Sequence, residues 1–137
     1  MNRTMGIDPG SKRTGVAIGV GGIASPLRVL TETGEDLIRR IAELAREEAV
    51  TEIVVGDPRR LDGSEGPAAE AARHLAGTLA ASTGLPVTMW DERLTTSEAE
   101  RSLVGAGVRR KRRRDVVDKV AASVMLQSYL DAGSRGR

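Results

Sequence analysis

Carboxylates stand at three points of this chain where hydrolysis of a phosphate ester would want them. Asp8 closes a strand-like run just before Pro9-Gly10, Asp91-Glu92 closes another, and Asp118 lies one turn into the last helical stretch. At about 100° per residue, Asp118 falls at the edge of the apolar stripe formed by Val117, Val120, Val124 and Met125, whereas Asp115 points well away from it. A carboxylate bordering a buried face is expensive unless something neutralises it. A divalent cation shared with strand-end carboxylates would do so. Mg²⁺ suits such a site because it takes oxygen ligands, keeps several waters and completes its shell with substrate phosphate. Two such ions roughly 4 Å apart would stabilise both the attacking and the leaving oxygen of a phosphodiester.

Each acid also has a plainer reading. Asp8-Pro9-Gly10 is a good type II turn, Asp91-Glu92 could pair locally with Arg93, and Asp118 could be an acid favoured by the dipole near a helix start. The three together, beside a basic segment and with few other ligand types in the chain, favour the metal site. Other polar residues offer less. His74 lies in an alanine-rich helical stretch and reads as a surface or boundary residue. Ser64, in a Gly-rich loop, lacks a histidine base and is no nucleophile. Gly63 to Gly66 lacks a following Gly-Lys-Ser/Thr and so is no P-loop; it reads as a mobile loop near the site.

Positioning these acids requires a sheet. Thr4–Asp8 and Thr14–Val20 read as strands joined by the turn residues Pro9-Gly10-Ser11-Lys12-Arg13. Ile23–Leu30 reads as a third strand, with Pro26 arguing for an edge position. Leu37, Ile38, Ile41, Leu44 and Ala45 recur at helical spacing over Gly34–Ala49, with Thr33 a good N-cap. Glu52–Gly56 is a short apolar run of the kind a strand buried on both faces needs. Asp57–Pro67 reads as a loop, Ala68–Ser82 as a helix, Pro86–Asp91 as a strand and Ser97–Val104 as a helix. Arg109–Arg114 reads as a basic loop and Asp115–Leu130 as a last amphipathic helix. Three strands in a meander followed by helix-strand-helix-strand-helix predict an α/β fold with a mixed five-stranded sheet, half antiparallel and half parallel, flanked by helices.

The 137 residues make one domain's worth of chain, with 39% hydrophobic and 29% charged residues, as in a globular protein. There is no cysteine and one histidine, which excludes disulfides, thiolate zinc, iron–sulfur clusters and multi-histidine metal sites. No apolar run approaches the roughly 20 residues of a membrane span, and the opening residues carry no signal-peptide pattern, so a cytoplasmic protein is expected. The net charge is +2, yet six basic residues are consecutive: Arg109, Arg110, Lys111, Arg112, Arg113 and Arg114. Without them the balance falls to −4 (15 basic against 19 acidic). A mildly acidic protein with one intense cationic segment points to a polyanion held at a particular place. Trp90 and Tyr129 are the only aromatics. A nucleic acid would therefore be met through phosphates and shape, with little base stacking.

Four blocks carry a resemblance: Gly6-Ile7-Asp8-Pro9-Gly10-Ser11-Lys12-Arg13-Thr14-Gly15-Val16-Ala17; Val54-Val55-Gly56-Asp57-Pro58 running into Leu61-Asp62-Gly63-Ser64-Glu65-Gly66-Pro67; Asp91-Glu92-Arg93-Leu94-Thr95-Thr96; and Val117-Asp118-Lys119-Val120-Ala121-Ala122. In this order, over nearly the whole chain, they resemble the RuvX/YqgF family of Holliday junction resolvase-like and pre-16S rRNA nuclease proteins. The resemblance implies one RNase H-like nuclease domain over residues 1–137. It also implies phosphodiester cleavage dependent on Mg²⁺ or Mn²⁺, with Asp8, Glu92 and Asp118 as the catalytic, metal-holding cluster. Lys12 and Arg13 would meet phosphates, and Arg93 would orient the acids or contact substrate. Residues 109–114 would grip the flanking backbone.

Two departures stand out. Asp57 takes a place where the family more often has an apolar residue, and it either joins the cluster or enters a salt bridge. Related junction resolvases carry an acid on the fourth strand, where this chain has Gly56, so the second ligand must come from the last strand. Asp91 and Glu92 cannot both point inward in regular strand geometry; Glu92, with the longer stem, is the expected ligand.

The leading expectation is thus a metal-dependent endonuclease acting on a four-way DNA junction or a ribosomal RNA precursor. A two-fold symmetric junction would call for a homodimer. A non-catalytic nucleic-acid-binding or ribosome-assembly factor is the alternative. A phosphotransferase, whose phosphate loop the Asp8-Pro9-Gly10 opening also resembles, would need two lobes to enclose ATP.

Overall fold

The computed structural model describes residues 2–58, 62–92 and 110–135, with side chains in the last segment from Val120 to Gly133. The chain forms β1 (Arg3–Pro9), β2 (Thr14–Val20), β3 (Ile23–Leu30), α1 (Gly34–Glu47), β4 (Glu52–Asp57), α2 (Pro67–Thr83), β5 (Val87–Asp91) and α3 (Arg110–Arg135). The strands make one five-stranded sheet in the order β3-β2-β1-β4-β5. β1–β2 and β2–β3 pair antiparallel, whereas β1–β4 and β4–β5 pair parallel. Connection length explains the split. Short turns can only reverse the chain, and the β2–β3 turn does so on Gly21 and Gly22, both at positive φ (62° and 83°), as a tight hairpin demands. Parallel pairing needs a crossover, which α1 and α2 supply. Pro26 lies on edge strand β3 beside a register shift, where its missing N–H leaves no ladder bond unmade.

Alternation along the strands gives the sheet two unlike faces. On one, Met5, Ile7, Val16, Ile18, Ile53 and Val55 meet Ile41 and Leu44 of α1 and Ala72, Ala76 and Leu79 of α2 in the larger core. The other face is low, with Gly6, Ala17 and Gly19 on adjacent strands and Val54 beside them, and α3 lies on it through Ala122, Met125 and Leu126. A Cβ on Gly6 would stand 2.9 Å from Leu126 Cβ, and one on Gly19 would stand 2.8 Å from Leu130 Cδ1.

Polar contacts lock the helix in place. Gln127 accepts from the Ala24 N–H (2.9 Å) and donates to the Gly22 carbonyl (2.9 Å), gripping the β2–β3 turn. Tyr129 donates to Glu52 (3.2 Å), which also accepts from the Thr4 hydroxyl (2.9 Å). Glu52 opens β4 and Tyr129 lies late in α3, so the earlier turns of α3 run toward the end of the sheet where β1, β4 and β5 finish.

Two local expectations need correction. The segment Arg110–Arg114, expected as a loop, forms the first turns of α3. Arginine and lysine are good helix formers, and no glycine or proline separates them from Asp115. Thr33 takes the N-cap position of α1 in an extended conformation, but its side chain makes no capping hydrogen bond. The helix expected over residues 97–104 lies outside the described residues.

The close approach of α3 is testable by a pair of substitutions with opposite signs. Gly6→Ala, which forces Cβ against Leu126, should destabilise the protein by about 1–3 kcal/mol. Gly77→Ala, on α2 with open space around it, should stabilise by about 1 kcal/mol through helix propensity alone. Urea unfolding of both variants measures this.

Candidate active site

Three neighbouring strands deliver the site. β1 and β4 run parallel with Ile7 opposite Val55, so Asp8 comes level with Gly56, which in turn is paired with Trp90 on β5. Parallel strands ending side by side leave their last residues at a common edge, where ligand sites of open α/β sheets gather. Just past β5, the Glu92 N–H donates to the Asp57 carbonyl (3.2 Å) and adds one further rung to the ladder. By alternation Glu92 falls on the side of Trp90, and its carboxyl lies against Gly56. The side chain is buried, with 8% of its surface exposed.

Asp8 and Glu92 are brought together: their carboxyl groups share a hydrogen bond. Burial pushes the Glu92 carboxyl up to about 10, and the hydrogen bond to Asp8 and the charges of Asp8, Asp57 and Asp91 add to the effect. Glu92 is thus held neutral, donating to Asp8, when no cation is near. Asp57 is buried and pairs in register with Asp91. By alternation Asp57 goes with Ile53 and Val55, so it adds to the field on Glu92 from across β4.

The donor set is made of hard carboxylate oxygens, the chemistry Mg²⁺ and Mn²⁺ take. A buried carboxyl sharing a proton with a half-buried one is an arrangement that a cation in the proton's place would relieve, and in this respect the residues fit the expected metal. Among the described residues no three acids form a ready-made cation cage. The third expected member, Asp118, has its backbone on α3, four residues before the buried Ala122, with its side chain outside the described set.

Lys12 and Arg13 stand on the turn that follows Asp8, Lys12 exposed and Arg13 partly buried. Arg93 and Arg109 lie outside the described residues, and Arg110, Lys111, Arg112, Arg113 and Arg114 are described as backbone only, in the first turns of α3. His74 is exposed on α2, away from the acids in sequence and fold. The Ser64 hydroxyl donates to Asp62 (2.6 Å), as does its N–H (2.8 Å), and these bonds hold the Asp62 carboxyl below its usual range. Trp90 and Tyr129 pack edge to face on each other, centroids 5.5 Å apart, rather than standing as open platforms. Sequence reasoning named Gly56 only as a missing acid. The signal that it matters was available: a glycine ending a run of buried β-branched residues.

The chain is similar to proteins of one family over nearly its whole length. The family described as "RuvX: Holliday junction resolvase" matches residues 2–132. A protein of Pelotomaculum thermopropionicum named "Putative pre-16S rRNA nuclease" is 50% identical, covering 98% of this chain and 90% of its own length. One of the same name from Myxococcus xanthus is 48% identical over 95% and 88%. Among solved structures, RuvC of T. thermophilus in complex with Holliday junction substrate covers 98% of both chains with a TM-score of 0.60 at 18% identity, a likeness of fold. That neighbour bears out the RNase H-like expectation.

The raised Glu92 carboxyl makes folding stability depend on pH. Between the ordinary glutamate range and about 10, the folded state keeps a proton that the unfolded state has released, so stability falls as pH rises. In chelator, wild type should lose stability between about pH 5 and about pH 10, and Glu92→Gln should flatten that slope. Urea titrations across this range would show it.

Proposed function

We propose that this chain, which belongs to the RuvX Holliday junction resolvase family, is a nuclease that hydrolyses phosphodiester bonds of structured nucleic acid at the Asp8–Glu92 end of its sheet. The observation that carries the reading is the contact between the Asp8 and Glu92 carboxyls at the finish of parallel strands, in a chain of this family. A divalent cation, Mg²⁺ or Mn²⁺, held by Asp8, Glu92 and Asp118, would neutralise phosphate charge and sharpen water as a nucleophile.

The chain's own residues do the rest. Asp8, on the central strand β1, anchors the cluster, and Glu92 and Asp118 complete it. Their carboxylates also accept hydrogen bonds from the attacking water and hold it in line with the scissile bond. Lys12 and Arg13, on the turn that leaves Asp8, meet the phosphate next to the cut. Arg93, following Glu92 directly, orients the acids or contacts substrate. The run 109–114 lies mostly in the opening turns of α3, at a helix end whose free N–H groups already favour anions. Cations there oppose the helix dipole, and a nucleic-acid backbone relieves that conflict.

The substrate is a four-way DNA junction or a ribosomal RNA precursor. The family description and the names of the relatives support one each. Resolving a two-fold symmetric junction calls for two copies presenting two sites.

Cleavage of a labelled four-way junction and a labelled rRNA-precursor fragment, each with Mg²⁺, Mn²⁺ or chelator, tests this. Asp8→Asn and Asp118→Asn should each lower cleavage by about 10²-fold or more while leaving substrate binding nearly intact. Tight binding with no cut under any condition would replace the enzyme with a binding factor. Neutralising Arg110, Lys111 and Arg112 should weaken binding to all sequences alike and reduce the salt slope by about 0.9 per lost phosphate contact on duplex DNA. Filter binding over a range of salt concentrations reads that slope.

A further inference from the structure

Gly56 follows Ile53, Val54 and Val55, all fully buried and β-branched, in a strand paired on both sides. A glycine there gives up more chain entropy on folding and offers the core no side chain. Its backbone does not require glycine, since φ lies outside the left-handed region. The reason for glycine is therefore space. A Cβ at this position would overlap the Glu92 carboxyl carbon, standing 2.5 Å from Oε1 and 2.7 Å from Cγ. Its three nearest neighbours all belong to that one side chain. The Glu92 backbone is pinned by its N–H to the Asp57 carbonyl, so only the side chain can yield.

We propose that Gly56 is a positioning residue: its bare backbone on β4 is the floor over which the carboxyl from the end of β5 reaches across to meet Asp8. Its effect on cleavage rests on the nuclease reading above; the steric coupling to Glu92 does not. With any side chain at position 56, Glu92 is turned off β4 and away from Asp8, while the rest of the fold keeps its packing. The same geometry makes the carboxylate transferable, because an acid on position 56 itself would start from the volume that Glu92 now fills.

The test compares wild type, Gly56→Ala, Glu92→Ala, Gly56→Ala/Glu92→Ala and Gly56→Asp/Glu92→Ala. The readouts are Mn²⁺ affinity by calorimetry, cleavage rate at saturating substrate, substrate affinity in chelator, and urea unfolding. Gly56→Ala should weaken Mn²⁺ binding and slow cleavage by about 10- to 100-fold, with substrate affinity in chelator unchanged. Moving the acid, Gly56→Asp in the Glu92→Ala background, should recover about tenfold or more of the Mn²⁺ affinity and cleavage that Glu92→Ala loses. A merely structural glycine would not give that rescue. In unfolding, Gly56→Ala should perturb wild type and leave the Glu92→Ala background almost unaffected. Wild-type Mn²⁺ affinity and cleavage in Gly56→Ala would overturn the proposal, as would equal destabilisation in both backgrounds. A wild type that neither binds Mn²⁺ nor cuts would overturn the nuclease reading instead, and the unfolding comparison would still decide whether Gly56 places Glu92.

Discussion

The seating of α3 on a sheet face stripped of side chains governs the arrangement of the molecule. Gly6 and Gly19, on neighbouring antiparallel strands, let Leu126 and Leu130 rest almost on the backbone. Packing energy falls steeply with separation, so a helix brought this close gains dispersion and apolar burial that a larger floor would forfeit. The second core of Ala17, Val54, Ala122, Met125 and Leu126 exists because of that approach. Gln127 and Tyr129 fix the helix along its axis, at the β2–β3 turn and at the start of β4. The direction of α3 follows, and it carries the backbone of Asp118 and of the basic run toward the strand ends where Asp8 and Glu92 meet.

Electrostatics at that edge run against stability. A buried glutamate facing an aspartate, with two more acids nearby, keeps its proton at pH values where glutamate ordinarily has none. Proteins rarely gather acids this way for folding, and the cost is characteristic of sites that await a counter-charge. The fold concentrates negative charge at the strand ends, whereas the sequence concentrates positive charge in the turns that open α3.

Much of the architecture was legible in residue order. The meander of β1 to β3, the crossovers through α1 and α2, and the edge placement of Pro26 follow from turn residues, hydrophobic period and the missing proline N–H. Asp8 and Glu92 were legible as strand-end acids, and the structure buries Glu92 against Asp8. The start of α3 was not, because a block of like charges reads as a solvated loop while each arginine separately favours helix. Nor was the burial of Asp57, whose environment depends on its pairing with β5.

By itself, the sequence determined the element order, the mixed sheet and the separation of acidic and basic segments, since these depend on local pattern and residue type. Only the tertiary structure decided that the space above Gly56 belongs to Glu92. Those residues are far apart in the chain, and their contact depends on the β4–β5 register and on the absence of a Cβ at position 56, which would stand 2.5 Å from Glu92 Oε1. Periodicity reports which face a residue takes; steric fit between strands emerges once the sheet has closed.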